Sequence, residues 1–402
     1  MTLATPAARP RDRWRMLGVL ALAELLGMSL WFAPNAVRDV LGERWALDAA
    51  QLGMLTTAVQ LGFVAGTATA ATLNLADLWP SRYYLAGSAL LASAANFALL
   101  TAPGFFAALL ARFFTGFFLA GVYPPGMKMT ATWFLNGRGL AIGILVGALG
   151  LGKAMPYLVH SIGVPSVESV IVTTSLGAVF AAILVAALYR DGPFPFERRP
   201  FDLRLVATVL RHRETRLATA GYLGHMWELY AMWTWIPAFL AASLARSAGV
   251  DSHRAADLAT FAALAAGALG CVWGGLAARR LGYARVVTIS MAASGVCALG
   301  IGLLFNASPW LLIAAVCVWG FFVVADSAQF SAMVTEVAPR HAVGTALTLQ
   351  TSMGFLLTTV TIALVPMLVE VIGWRWAFVV LALGPAFGIA AIARLQSGPE
   401  RR

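Results

Sequence analysis

The stretches "ELLGMSLWFAP" (24–34) and "HMWELYAMWTWIP" (225–237) decide how this chain folds. Both carry E-L-x-x-M-x-x-W, first as Glu24, Leu25, Met28 and Trp31, then as Glu228, Leu229, Met232 and Trp235, 204 positions on. A second pair of segments matches at the same offset. "GFFLAGVYPPGMKM" from Gly116 overlies "GFFVVADSAQFSAM" from Gly320, sharing Gly116/Gly320, Phe117/Phe321, Phe118/Phe322 and Met129/Met333. Either match alone is weak among Leu, Phe and Gly. Two at one offset predict a duplicated unit. Parallel duplicated halves are a transporter architecture, with the site near the midplane between them.

The solvent follows from composition. Hydrophobic residues make up 60% of the 402 and charged residues 11%, against roughly 45–50% and about 25% in soluble domains. A bilayer core of ~30 Å needs about 20 apolar residues in a helix. Runs of that kind fall near 14–37, 50–76, 83–101, 104–127, 138–160, 166–189, 216–241, 256–278, 284–305, 309–333, 341–369 and 373–394. They are too long, and alternate too little, for barrel strands. The fold class expected is therefore an all-α membrane protein of twelve spanning helices in two pseudo-symmetric six-helix bundles. The longest polar interruption starts at Tyr189 and divides the chain into an amino-terminal bundle (1–189), a cytoplasmic linker (190–215) and a carboxy-terminal bundle (216–402).

Charge gives the orientation. Both termini and the polar ends after even-numbered spans hold twenty arginines, and the opposite side holds five: Arg38, Arg44, Arg246, Arg254 and Arg375. Positive residues stay inside, which places both termini in the cytoplasm. The net charge of +10 is thus spent on topology, and nucleic acid is not the expected partner. No cleavable signal is expected, because the first run is too long for a signal-peptide core. Cys271, Cys297 and Cys317 fall inside spans with no disulfide or metal-ligand spacing. No Walker-type loop occurs, which argues against nucleotide-driven pumping.

In "RFFTGFFLAG", Arg112 and Gly116 form an R-x-x-x-G element. It is similar to a signature of the major facilitator superfamily, which the chain resembles over almost all its length. "GGLAARRLGYAR" is similar to its cytoplasmic G-x-x-A-D-R-x-G loop through Gly275, Ala278, Arg280 and Gly282, with Arg279 where aspartate is expected. The earlier copy, "LNLADLWPSR", keeps Asp77 and Arg82 but has Leu73 and Pro80 in place of glycines. "GWRWAF" at 373–378 also resembles the superfamily. The resemblance implies a secondary transporter with a gating loop at Asp77, Arg82, Arg279 and Arg280. In pattern the span four–five region, with its Y-P, W-F and R-G elements, is nearest to organic-anion and nitrate porters. Nitrate itself is not expected, since the second and eighth spans lack the arginines that would hold it.

Ionisable groups inside spans cost ~2.5–3.5 kcal/mol each on insertion scales and so mark sites. Glu24, Met28 and Trp31 share one helix face, as do His225, Glu228, Met232 and Trp235. If the halves pack as the resemblance implies, the two glutamates meet across a central cavity. There Glu24, Glu228, His225 and Asp326 are the expected proton-coupling groups, because burial and neighbouring charge shift carboxylates and His titrates near neutrality. Lys153 is one of only two lysines among 28 basic residues and lies well inside the fifth span, with Tyr157 on its face. It is the expected holder of an anionic group. Arg112, Tyr157, Trp31, Trp235, Met28 and Met232 complete the expected substrate site.

The leading expectation is a proton-coupled carrier, a symporter, for a small anionic or zwitterionic organic solute, monomeric, without a cofactor and not an enzyme. Its expected place is a bacterial-type inner membrane. Two alternatives stand beside it: a copper-type importer using His225, Glu228, Met232 and Met28, and a drug or metabolite exporter. The superfamily's drug/proton antiporters usually carry G-P-x-x-G-G in the fifth span, and its absence from "GALGLGKAMP" weighs against the exporter.

Overall fold

With no water to bond exposed peptide groups, a chain this apolar must satisfy its backbone within helices. In a computed structural model, residues 10–73, 75, 79–135, 137–162, 166–194, 202–246 and 252–397 are described, and among them there is no strand. Twelve helical rods follow one another. α1 is Pro10–Met28. α2 to α6 are Ala49–Thr72, Ser81–Thr101, Phe105–Ala131, Arg138–Ile162 and Val167–Leu188. α7 is Arg213–Leu244. α8 to α12 are Ser252–Leu281, Tyr283–Leu304, Pro309–Val337, Arg340–Ile372 and Trp374–Gln396. Ten of the twelve are long and apolar enough to cross a membrane. The other two, α1 and α7, are the rods that carry the repeated glutamate motif.

Local chemistry sets several of the starts. Asp48 accepts from the Gln51 amide and the Gln51 side chain from the Asp48 amide, a capping box that opens α2. Ser166 caps α6 through the Ser169 amide, and Pro309 stands in the first turn of α10, where a missing N–H costs nothing. The linker contains a short helix, Val206–Arg211, and docks on α11 where the Asp202 amide donates to Thr345 Oγ1 at 3.0 Å.

The repeat seen in the sequence is visible in three dimensions. α4 breaks between Leu119 and Tyr123, and α10 breaks at Asp326, 204 residues after Val122. α3 and α9 both finish in a 3-10 turn, Ala98–Thr101 and Ile301–Leu304. Gly116 lies against the Val59 carbonyl so closely that a methyl there would stand 2.0 Å from its oxygen, and Gly320 meets the Ala263 carbonyl at the same 2.0 Å. Small residues permit such backbone approach where helices pack without a hydrophobic driving force. The same seam, α2 on α4 and α8 on α10, is built once in each half.

One expected span differs. The sequence predicts a single first helix over 14–37, but α1 stops at Met28, and after four turn residues two short helices, Ala33–Ala36 and Arg38–Trp45, carry the chain outward. The reason lies in α4. Arg112 is fully buried, and its Nη1 donates to the Leu30 carbonyl at 3.0 Å while its Nη2 donates to the Trp31 carbonyl. A guanidinium fork fits two carbonyls released by an unwound turn. At the position 204 residues after Arg112 stands Val316, and there α7 runs unbroken through Trp235 to Leu244.

Candidate functional site

A cavity of about 310 Å³ lies between the two halves, with walls from α1, α2, α4, α5, α7, α10 and α11. It extends along α11 from Phe355 to Gly344, toward the end of the bundle that carries the chain termini. Away from the termini it is closed by a layer of aromatic rings. Trp31 stands 5.2 Å from Phe63, 5.8 Å from Tyr230 and 5.7 Å from Phe355, centroid to centroid, and Phe63 and Phe355 are 4.7 Å apart. These rings come from α2, α7, α11 and the turn after α1, so the layer joins both halves.

Lys153 reaches the cavity from α5 just beneath that layer. Its Nζ donates to Tyr230 Oη and lies 4.2 Å from the Trp31 ring, 4.6 Å from Tyr230 and 5.1 Å from Trp233. Ring faces attract a desolvated ammonium by roughly 2 kcal/mol or more. No carboxylate of the described residues comes within 4.0 Å of it. The lining contains no Asp or Glu among the described residues, so the wall's fixed charge is positive.

Lower on the wall, His225 bridges two neighbours. Its Nδ1 lies 2.9 Å from Asp326 Oδ1 and its Nε2 is 2.9 Å from Ser327 Oγ. Asp326 sits at the break in α10, so the kink delivers both the carboxylate and the serine to the histidine. The remainder is apolar or hydroxylic, with Met28, Met127, Met226, Thr348 and Thr351 among the walls.

The expectation that Glu24 and Glu228 confront one another across this space is corrected by the geometry, since neither lines it. Glu228 is turned into the carboxy-terminal half, accepting from Trp319 Nε1 at 2.7 Å and Ser294 Oγ at 2.8 Å. The cavity face of α7 runs through Tyr222, Met226, Leu229 and Trp233, centred about 130° around the helix from Glu228, with His225 at its edge about 60° away. Glu24 is buried on α1, with both oxygens lacking a hydrogen-bond partner. It is pressed on Gly126 of α4, where a methyl group would stand 2.1 Å from its Oε1.

Of the residues expected to bind substrate, Lys153, Trp31 and Met28 line the cavity. Arg112 does not; it holds the broken turn after α1 and also reaches Asn96 Oδ1 at 3.4 Å. Tyr157 is buried elsewhere with its hydroxyl unpartnered, and Met232 is buried off the cavity. Trp235 serves the closed side, donating Nε1 to the Ile362 carbonyl at 2.8 Å beneath the Arg38 guanidinium, 5.1 Å from its ring. The four residues of the copper-type reading do not converge: Met28 and His225 reach the cavity, Glu228 and Met232 do not. Asp77 lies outside the described residues. Arg82 stacks on the neighbouring Tyr83 ring at 4.5 Å, and Arg279 and Arg280 are exposed at the end of α8. The sequence reading missed Tyr230, Trp233 and Ser327. The first two were in plain view within the quoted motif; only the ring contacts to a lysine on another helix distinguish them.

A protein with two like bundles, a cavity between them and ionisable groups on its wall is a membrane carrier. The chain belongs to the Major Facilitator Superfamily, whose family model matches residues 17–243 and 219–402. It is accordingly a multi-pass membrane transporter and not an enzyme. Two solved structures of a bacterial homolog to the human lysosomal transporter Spinster share the fold. The inward-facing, unoccupied form has a TM-score of 0.72 at 15% identity, covering 98% of this chain and 100% of that one. The inward-facing, occupied form gives 0.70 at 16% identity, with 98% and 99% covered. No curated protein matches the chain in sequence.

Proposed function

We propose that this chain is a secondary transporter that moves a small organic anion, or a zwitterion by its anionic end, through alternating access coupled to protons. The observation that carries the reading is Lys153. It is a lone ammonium in a cavity wall without carboxylates, oriented by three rings and one hydroxyl. Glu24, off the cavity wall, acts on the ammonium only from beyond 4.0 Å, so a substrate carboxylate entering the cavity supplies the direct counter-charge that the described wall residues lack. Charge-assisted hydrogen bonds of that kind are roughly twice as strong as neutral ones. The apolar walls of Met28, Met127 and Leu149 accept the body of the solute.

For protons, the reading assigns His225 with Asp326. The imidazole faces the cavity with Nδ1 2.9 Å from Asp326 Oδ1, an ion-pair contact whose oxygen accepts no aligned hydrogen bond in this arrangement, so a proton taken from the cavity has a carboxylate partner beside it. Glu24 is the second group, because its oxygens have no donor in this arrangement and are free to gain one when helices move. Glu228, held by two donors, is a fixed acceptor in this scheme. The arginine asymmetry supports a cytoplasmic location for the termini, and hence for the near end of the cavity; on this reading the state described is inward-facing.

Uptake into proteoliposomes tests the reading. A panel of carboxylic acids and amino acids is offered with and without an inward proton gradient. At least one should accumulate against its gradient, and His225→Gln or Asp326→Asn should abolish the dependence on pH. Accumulation indifferent to the gradient would remove protons from the scheme; transport of cations alone would remove the anion.

A further inference from the structure

Two histidine–aspartate pairs lie far from the cavity, at the end of the bundle opposite the termini, and each crosses between the halves. His160 of α5 places Nδ1 2.5 Å from Asp257 Oδ2 of α8, with side chains 13% and 11% exposed. His253 at the start of α8 places Nδ1 3.3 Å from Asp39 Oδ2 in the short helix Arg38–Trp45, in an exposed position. By contrast, Arg38–Asp39 at 3.7 Å and Arg44–Glu168 at 3.2 Å tie parts of the amino-terminal half to each other.

The buried pair ends a seam of a particular kind. Toward the termini, α5 and α8 touch through small residues: a methyl on Gly143 would stand 2.8 Å from the Cys271 carbonyl oxygen, and one on Gly275 would stand 2.9 Å from that of Gly139. From Gly143 to His160 the helix rises ~25 Å. One end of the seam is therefore a smooth backbone contact that can pivot. The other end is a polar tie that must break if the helices part there. His160 Nε2 is buried without a partner, so Asp257 is the tie this side chain makes.

We propose that His160 and Asp257 form a proton-binding latch that holds the far side of the transporter shut, with His253 and Asp39 as its exposed companion. The inference rests on the alternating-access reading above. Holding one proton, the pair is neutral overall; without it, the pair carries a net negative charge. Enclosing an uncompensated charge between two helices costs far more than enclosing a neutral pair. The proton comes from the medium on that side and returns to it when the helices separate. Acid closes this latch, and base releases it. The charged and titratable groups that face it are His253 on α8, Arg38 and Asp39 beyond α1, and Tyr157 on α5, while Arg254 is exposed at the start of α8. Because Arg38 and Asp39 oppose one another, they leave the sign with the pair's own proton.

Spin labels at Ala50 and Ser308, exposed on that side of the two halves, read the closure in a background with the three cysteines replaced by alanine. Distances are measured in nanodiscs at about pH 5.5 and about pH 8, the range over which imidazole changes charge. Two populations are expected, and the ratio of short to long should rise about fivefold or more on acidification, the lower range of typical couplings. His160→Gln leaves the Asp257 anion uncompensated and should favour the long distance at both pH values, whereas Asp257→Asn leaves no anion to enclose and should hold the short distance at about pH 8 and lose it on acidification. The exchanged pair, His160→Asp with Asp257→His, should restore the parent's response. Two populations that ignore pH and all three variants would overturn the latch while leaving alternating access intact. A single distance under every condition would overturn both.

Discussion

Replacing Arg112 by methionine separates two roles that its position in the fold allows, clamp and ligand holder. The guanidinium satisfies the carbonyls of Leu30 and Trp31, which the break in α1 leaves without helical donors. A buried acceptor deprived of its partner costs about 1–3 kcal/mol, so two orphaned carbonyls cost about 2–6 kcal/mol. Removing the ion also relieves the expense of burying a charge, which places the expected loss at the lower half, ~2–4 kcal/mol. At roughly 2–4 °C per kcal/mol for units of 150–250 residues, the melting temperature in detergent should fall by at least ~4 °C. Lysine at the same place keeps the charge but cannot fork to two oxygens, and should recover only part of the loss. Amide exchange at 29–32 should accelerate in the methionine variant, because the break has lost its brace. A variant that melts like the parent yet no longer binds any solute would refute the clamp and make Arg112 a ligand-holding residue.

Gly116→Ala and Gly320→Ala each force a methyl onto a carbonyl 2.0 Å away, and should cost ~1–3 kcal/mol or more in thermal unfolding. Gly18→Ala, which meets nothing within 4 Å, should be neutral or stabilising by ~0.5–1 kcal/mol. Gly126→Ala must displace the Glu24 carboxyl, so its cost should shrink when Glu24 is also made alanine, a non-additive double-mutant cycle. Trp319→Phe removes the indole donor from Glu228 Oε1 and should lower stability by ~1–3 kcal/mol without changing the pH dependence of transport.

The architecture was legible because a bilayer imposes a crude rule on sequence: a span must be apolar for ~20 residues, and arginine marks its inner end. The duplication could be read from Glu24/Glu228 and Gly116/Gly320. Lys153 was legible for the same reason, as an ion where ions are expensive. Which way a side chain turns was not. Periodicity put Glu228 on one face with His225, but Trp319 and Ser294, on helices nine and ten, supply donors on the other side and decide its direction. Nor does α1 announce its break. The residue responsible is on α4, 82 positions from the carbonyl it binds, and only the folded packing brings the two together. His160 and Asp257, 97 apart, escaped notice likewise.

The central claim is that Lys153 holds the anionic end of the solute. Thermal-shift titration of the purified protein with the carboxylate panel tests it, comparing the parent with Lys153→Met and Lys153→Arg. The parent should gain stability with at least one carboxylate, the methionine variant should lose that gain while folding normally, and arginine should keep some of it. Equal stabilisation of the methionine variant by the same carboxylate would contradict the claim.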